Sequence, residues 1–106
     1  MVSTFEVLAE PRRREILDLL YAGERHVGEL VERLGMPQPG VSKHLKVLRA
    51  AGLVEVRQEA QRRWYRLRLQ PLVEVDQWLR PYRDLWERHL DALERHLDAM
   101  PEEGGR

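Results

Sequence analysis

The sequence predicts a mainly α-helical fold with one small β-hairpin. Two observations carry this prediction: apolar residues recur at helical spacing through residues 5–52 and again through 71–100, and between these stretches the period changes to two. In addition, Gly or Pro stands at most changes of pattern. With 106 residues, 42% hydrophobic and 34% charged, the chain suits one folded domain over residues 1–106, for which a partner subunit would add stability.

Four helices are expected before the hairpin. The first is short and ends before Glu10. The second begins at Pro11, because proline is tolerated in a first helical turn, and ends at Gly23. The third ends at Gly35, and its apolar face is formed by Val27, Leu30, Val31 and Leu34.

The fourth helix follows a turn formed by Met36, Pro37 and Gln38. Pro39 opens this helix and Gly52 ends it. The spacing of four and three residues predicts an inner face formed by Val41, Leu45 and Leu48.

After Gly52 the residues favour strands. Leu53, Val54 and Val56 form the first run, and residues 64–69 alternate apolar and basic side chains. The turn between them lies near residues 59–62 and lacks the Asn-Gly or Asp-Gly pair that would define its type. Residues 71–100 then predict one long helix, interrupted or kinked near Pro81, and residues 101–106 a frayed tail.

This order of elements predicts a winged helix-turn-helix over residues 1–70, because two short helices joined by a tight turn precede a hairpin. The second helix of such a motif enters the major groove of DNA. The polar side chains in its first half that lie outside the inner face are Gln38, Ser42, Lys43 and Lys46, and Gln, Ser and Lys can all bind base edges or phosphate.

Six further positions in this segment have predicted roles. Gly40 either lets the backbone approach DNA closely or delays the helix start by one residue. Arg62 and Arg63, near the hairpin tip, are expected to contact phosphate or the minor groove. His44 is expected to be partly packed, and Trp64 and Tyr65 to lie on opposite faces at the base of the wing.

The net charge of zero conceals a basic middle segment. Residues 37–70 carry eight basic and two acidic groups, whereas residues 1–36 sum to −2 and residues 71–106 to −4. A local excess of +6 is typical of a surface that meets a polyanion such as double-stranded DNA. By charge alone, a solvated basic face without a partner is an equal alternative.

The residues also resemble a known family. The resemblance rests on VGELVERLGMPQPGVSKHLKVLRAAGLVEVRQEAQRRWYRL together with the earlier LAEPRRREILDLL, and it covers roughly residues 5–69. Both stretches resemble the ArsR/SmtB-type bacterial winged-helix transcriptional regulators. The resemblance implies a homodimeric repressor that binds an inverted repeat in a promoter and is released by an effector. It also implies DNA reading by Gln38, Ser42 and Lys43, wing contacts by Arg62 and Arg63, and dimerisation through helix 71–100.

An apolar stripe along that last helix predicts the dimer interface. Its members recur at heptad-like spacing, and the interface is expected to contain Leu79, Tyr82, Trp86, His89, Leu90, Leu93 and Leu97.

Many family members bind metals through cysteines, and this chain has none. His89 and His96 lie about 10.5 Å apart along one helix, so one chain cannot chelate an ion with both. No metal is therefore expected, although a site between two chains, with carboxylates of the partner, stays open as an alternative.

The sequence gives little support to other classes of protein. No glycine-rich phosphate loop, nucleophile elbow or HExxH motif is present, so neither an enzyme nor a cofactor is expected. No run approaches the ~20 apolar residues of a membrane span, and the order of apolar and basic residues at the N-terminus does not suit a signal peptide, so a cytoplasmic location is expected. The alternative function is a winged helix that binds an acidic protein partner.

Overall fold

The computed structural model describes residues 3–100, which divide into two compact units between Val75 and Asp76. Five helices and three strands are present in this range. They are α1 (Thr4–Leu8), α2 (Pro11–Tyr21), β1 (Arg25–His26), α3 (Val27–Leu34), α4 (Gln38–Ala50), β2 (Val54–Glu59), β3 (Arg62–Leu67) and α5 (Leu72–Ala99). The predicted tail, residues 101–106, lies outside the described residues, and the assignment of residues 1–106 to a single domain stays a prediction.

The helices of the first unit begin and end where the sequence predicts, with one exception. Ser3 caps α1 by accepting a hydrogen bond from the backbone N–H of Glu6 at 3.1 Å, and Pro11 is the first residue of α2. Gly35 ends α3 in the left-handed conformation, with φ of 64°. The exception is α4, which begins at Gln38 and not at Pro39, because Pro37 already provides the extended N-cap backbone.

The buried side chains of this unit's hydrophobic core come from α1, α2, α3, α4, β2 and β3, and from Leu53 between α4 and β2. The predicted inner face of α4, Val41, Leu45 and Leu48, is at most 1% exposed. It packs in one cluster with side chains of α1, α2, α3 and the hairpin, whose buried members are Val7, Ile16, Leu17, Leu20, Leu30, Leu53, Val54 and Tyr65. Full burial of such aliphatic side chains contributes roughly 1.5–3 kcal/mol each, so the core fixes α4 by its inner face.

The sheet has three antiparallel strands in the order β1-β3-β2, so it contains one strand in addition to the predicted hairpin. The added strand is β1, which pairs Arg25 with Tyr65 and His26 with Trp64. The hairpin itself is confirmed, with Glu59 opposite Arg62 across a two-residue loop. Ala60 in that loop has φ of 55°, a region that costs a non-glycine residue about 1–2 kcal/mol. The second strand of the hairpin, β3, ends at Leu67, two residues earlier than predicted.

The second unit is formed by α5 from Asp76 onward. This helix runs from Leu72 to Ala99 and continues through Pro81, so the expected interruption at Pro81 is absent. Asp76 forms an ion pair with Arg83 at 2.8 Å and a longer one with Arg80 at 3.8 Å. Every residue from Gln77 to Met100 is exposed, including the apolar stripe of this helix.

Candidate nucleic-acid interface

The outer face of α4 presents all of the polar side chains predicted for it. Gln38, Ser42, Lys43 and Lys46 are exposed, whereas the inner residues of the same helix are fully buried. The contrast follows from the helical period, because residues three and four apart share a face. The polar side chains are therefore held on a rigid element and not on a loop.

Gly40 lies inside α4, as the third residue of the helix, so it does not delay the helix start. A Cβ atom added to Gly40 would lie 3.1 Å from Cε of Met36, in the turn before the helix. That contact is tight, and the far end of the methionine side chain would have to shift to admit it. Packing of the turn onto the helix is thus one physical reason for glycine at this position. A close approach of the helix backbone to DNA at Gly40 stays a prediction.

A groove separates α4 from the wing and brings together residues from both. Its volume is about 280 Å³, and Ser42 and Lys46 of α4 line it together with Arg63 of β3. The remaining walls are Leu45, Arg49 and Tyr65. Gln38, Lys43 and Arg62 are exposed but do not line this groove.

Arg49 was not among the predicted site residues. It lies one turn beyond Lys46 and two turns beyond Ser42, so the same helical spacing that identified those residues also includes it. The prediction did not include Arg49 because this residue lies in the last turn of α4, whereas base contacts are expected from the first half of the helix. The groove therefore contains three cationic side chains, from Lys46, Arg49 and Arg63.

Some of the basic side chains in residues 37–70 are neutralised by carboxylates. Arg57 forms ion pairs with Glu24 at 2.7 Å and Glu59 at 3.1 Å, and the hydrogen bond to Glu24, the main cause, raises the pKa of Arg57 above its ordinary value. Arg66 donates a hydrogen bond to Glu55, which is also 4.0 Å from Arg68. Three of the eight basic groups of this segment are therefore paired.

The other five basic side chains form no hydrogen bond or ion pair with any residue in the described range 3–100. They are Lys43, Lys46, Arg49, Arg62 and Arg63. All five lie on the outer face of α4 or near the tip of the wing. The unpaired positive charge of residues 37–70 thus lies on the surface that the sequence predicts to bind DNA.

His26 connects α3 to the wing and was not assigned a role from the sequence. Its Nδ1 accepts a hydrogen bond from the backbone N–H of Glu29 at 3.4 Å, which caps α3. Its ring meets the Trp64 ring edge to face, with centroids 5.1 Å apart, and Gly28 leaves room for it, since a Cβ there would lie 3.1 Å from the imidazole. Trp64 is half-buried and also lies 6.0 Å from the guanidinium of Arg57.

Two predictions about packing are confirmed in the same region. His44 is half-buried on α4. Tyr65 is 7% exposed and belongs to the core, whereas its neighbour Trp64 lies on the opposite face of β3.

The residues predicted to form the dimer interface are all exposed on α5. Among them, Leu79 is 36% exposed and Trp86 is 61% exposed. The others are Tyr82, His89, Leu90, Leu93 and Leu97. Leu85 joins Tyr82, Trp86 and His89 around a shallow depression of about 250 Å³. A monomeric protein rarely exposes a continuous apolar face of this kind.

Within residues 3–100 of a single chain, no three His, Asp or Glu side chains converge in a way that could hold a metal ion. In the same range no helix has the length and apolar character that crossing a membrane requires.

Comparisons with known proteins agree with the fold. The family profile described as "Bacterial regulatory protein, arsR family" matches residues 10–56. Transcriptional repressor SdpR of Bacillus subtilis (strain 168) is 30% identical over 79 residues, which is 74% of this chain and 88% of the repressor. The biofilm growth-associated repressor of Agrobacterium fabrum is 45% identical over 62 residues, 58% of this chain, but this match spans only 53% of that protein.

Solved structures with the same architecture include regulators of this type. The crystal structure of an ArsR family transcriptional regulator has a TM-score of 0.68 and 31% identity, covering 78% of this chain and 86% of that one. A homodimeric winged helix-turn-helix DNA-binding domain from Mycobacterium bovis, solved by NMR, has a TM-score of 0.61 and 35% identity, covering 74% of this chain and 73% of that one.

Proposed function

This chain belongs to the arsR family of bacterial regulatory proteins, and from that premise we propose that it is a homodimeric, sequence-specific DNA-binding repressor that acts in the cytoplasm. The observation that carries the proposal is the distribution of unpaired cations. Lys46 and Arg49 of α4 and Arg63 of the wing line one groove, and no carboxylate among the described residues neutralises them. A groove of this charge attracts a phosphate backbone.

The two halves of the outer face of α4 would make different contacts with DNA. Gln38, Ser42 and Lys43, on the first half of the helix, would reach base edges in the major groove, because a helix-turn-helix reads DNA with the N-terminal part of its second helix. Lys46 and Arg49 would contact phosphates farther along the helix. Phosphate contacts fix the register of the helix, and base contacts supply the specificity.

The wing would contact DNA beside the groove that α4 enters. Arg63 would meet a phosphate at the edge of that groove, and Arg62, nearer the hairpin tip, would reach the adjacent minor groove. Gly40, near the start of α4, would let the helix backbone approach the DNA.

The apolar stripe of α5 would form the dimer. Leu79, Tyr82, Trp86, His89, Leu90, Leu93 and Leu97 are exposed in the single chain, and burial of such residues against a second copy is a strong driving force. The homodimeric structural relative supports this assembly. A two-fold dimer predicts a palindromic operator with half-sites about 34–36 Å apart, one turn of the double helix.

Fluorescence anisotropy with DNA from upstream of the gene tests the proposal. We expect tighter binding to one palindromic site than to random duplex, and a steep loss of affinity with salt. Gln38→Ala should relax sequence choice, whereas Lys43→Glu should weaken binding to all sequences. A shallow salt slope together with no preference over random duplex would refute the proposal.

The same assay separates two other functions. If a Ser42→Ala, Lys43→Glu double variant retains full promoter binding, the basic surface serves an acidic protein partner instead. A metal-responsive repressor, with His89 and His96 contributed by two chains, requires a thermal shift with Zn²⁺ or Ni²⁺, and no shift at saturating metal would exclude it.

A further inference from the structure

A second cavity in the first unit shares no lining residue with the groove between α4 and the wing. It lies between α2, the end of β3 and the start of α5, and its volume is about 410 Å³. Its walls are almost entirely hydrocarbon, from Leu8, Leu17, Leu67, Leu69, Leu72 and the ring of Tyr21. This volume lies within the range of about 300–1,000 Å³ that is typical of small-molecule sites, which combine apolar walls with a few polar groups.

The polar groups of this cavity are Arg14 and Asp18, one turn apart on α2. Nη1 of Arg14 donates a hydrogen bond to the carbonyl oxygen of Leu8 at 2.5 Å, which holds the guanidinium at the cavity wall. Neither Arg14 nor Asp18 forms an ion pair with any residue between 3 and 100. A fixed guanidinium with unused N–H groups beside hydrocarbon suits a carboxylate.

Asp18 restricts the charge of the occupant. A second acidic group on the ligand would meet this carboxylate and be repelled, so the charge complementarity favours a single carboxylate near Arg14. The leucine walls favour an aryl or short alkyl body, because burial of apolar surface supplies most of the binding free energy in such sites.

The cavity also contacts the wing. Leu67 lines it from β3, and Arg63 lies four residues earlier on the same strand. Side chains at even separations share one face of a strand, so a displacement of Leu67 by a ligand moves the strand that carries a groove cation. This step rests on the proposed function, since it links the cavity to operator affinity.

We propose that this cavity is an effector site for a small apolar monocarboxylic acid, which places its hydrocarbon body against the leucines and its carboxylate against Arg14, and whose binding changes operator affinity. The binding half of the proposal does not depend on DNA. It can therefore be tested even if the repressor function is wrong.

The test uses the full-length protein, isothermal titration calorimetry and the probes phenylacetate and phenylacetamide. These probes have nearly the same shape and differ in charge. We expect phenylacetate to bind about tenfold more tightly, as a charge-assisted hydrogen bond implies. Arg14→Gln should remove that difference. Arg12→Gln is the matched control, because Arg12 pairs with Glu15 on the same helix and does not line the cavity.

A second variant keeps the proposal testable if the Arg14→Gln variant does not fold. Leu69 lines the cavity and is 64% exposed, so Leu69→Glu should fold normally and still abolish phenylacetate binding by charge repulsion. The absence of binding by both probes at about 10 mM would overturn the site. Equal binding of both probes, or an Arg14→Gln variant that binds phenylacetate normally, would overturn the carboxylate assignment.

Two further outcomes address occupancy and regulation. If the Leu69 methyl groups are protected from a soluble paramagnetic probe in the ligand-free dimer, a second copy fills the cavity and the proposal fails. Anisotropy with and without phenylacetate tests the regulatory half: an unchanged operator affinity when phenylacetate is bound would overturn it. A ligand-free protein that binds no DNA would refute the repressor function, and calorimetry would still decide the binding site.

Discussion

Replacement of Arg63 by Gln should reduce the salt dependence of DNA binding, whereas replacement of Arg66 by Gln should not. Both arginines are exposed on β3, and both substitutions remove one positive charge. They differ in their partners, because Arg66 donates to Glu55 and Arg63 has no carboxylate partner in the described part of the chain. A cation already neutralised within the protein releases few counterions from DNA. We therefore expect the unpaired Arg63, and not the ion-paired Arg66, to contribute to the salt dependence of DNA binding.

The magnitude follows from counterion release. The five unpaired cations of residues 37–70 give at most ten phosphate contacts in a dimer, and a slope of about −9 in log K against log salt concentration. Arg63→Gln removes two contacts per dimer, which should make the slope shallower by about 1.8. Between about 50 and 200 mM salt, the affinity advantage of the wild type over this variant should then shrink roughly tenfold.

The assay is an anisotropy titration of a labelled duplex at four or five salt concentrations. It works with nonspecific DNA as well as with the operator, because the phosphate term does not depend on sequence. Arg66→Gln should leave the slope within about 0.5 of the wild type. If both variants change the slope equally, net charge and not ion pairing governs binding, and the distinction between the two groups of basic residues fails.

Three further predictions concern assembly and stability. Leu93→Glu places a charge in the centre of the α5 stripe and should convert the dimer to a monomer in sedimentation velocity, whereas Arg95→Glu, on the opposite side of the helix, should not. His26→Ala should lower the free energy of unfolding by about 1–2 kcal/mol in urea, from the lost cap and the lost Trp64 contact, and His26→Asp should recover the part due to the cap. Ala60→Gly should raise the free energy of unfolding by about 0.5 kcal/mol, because the strain relieved at the left-handed position exceeds the cost of the added entropy of the unfolded chain. A loss of stability in this variant would contradict this account.

Local patterns in the sequence were enough to predict most of the helices and the hairpin. The inner face of α4 and the stop at Gly35 depend only on neighbouring residues, so the structure reproduces them. The strand β1 could not be predicted in this way, because two residues are too few to show an alternating pattern. Arg25 and His26 become a strand only through pairing with β3, some forty positions later in the sequence.

The ion pairing of the basic residues, like strand β1, could not be predicted from local sequence patterns. The sequence locates the excess of +6 in residues 37–70, but it does not say which cations are neutralised. Glu24 reaches Arg57 across 33 positions, and Glu55 meets Arg66 only because of the register between β2 and β3. Ion pairing therefore depends on tertiary structure, and it reduces eight candidate cations to five.

The division of α4 into two faces determines how cleanly its function can be tested. Leu45 and Leu48 belong to the core, and their truncation would cost about 2–5 kcal/mol and weaken DNA binding through unfolding. Ser42 and Lys46 are exposed on the same helix, where substitutions usually change stability by less than about 0.5 kcal/mol. A change in DNA affinity caused by the outer residues can therefore be attributed to lost contacts and not to a lost fold.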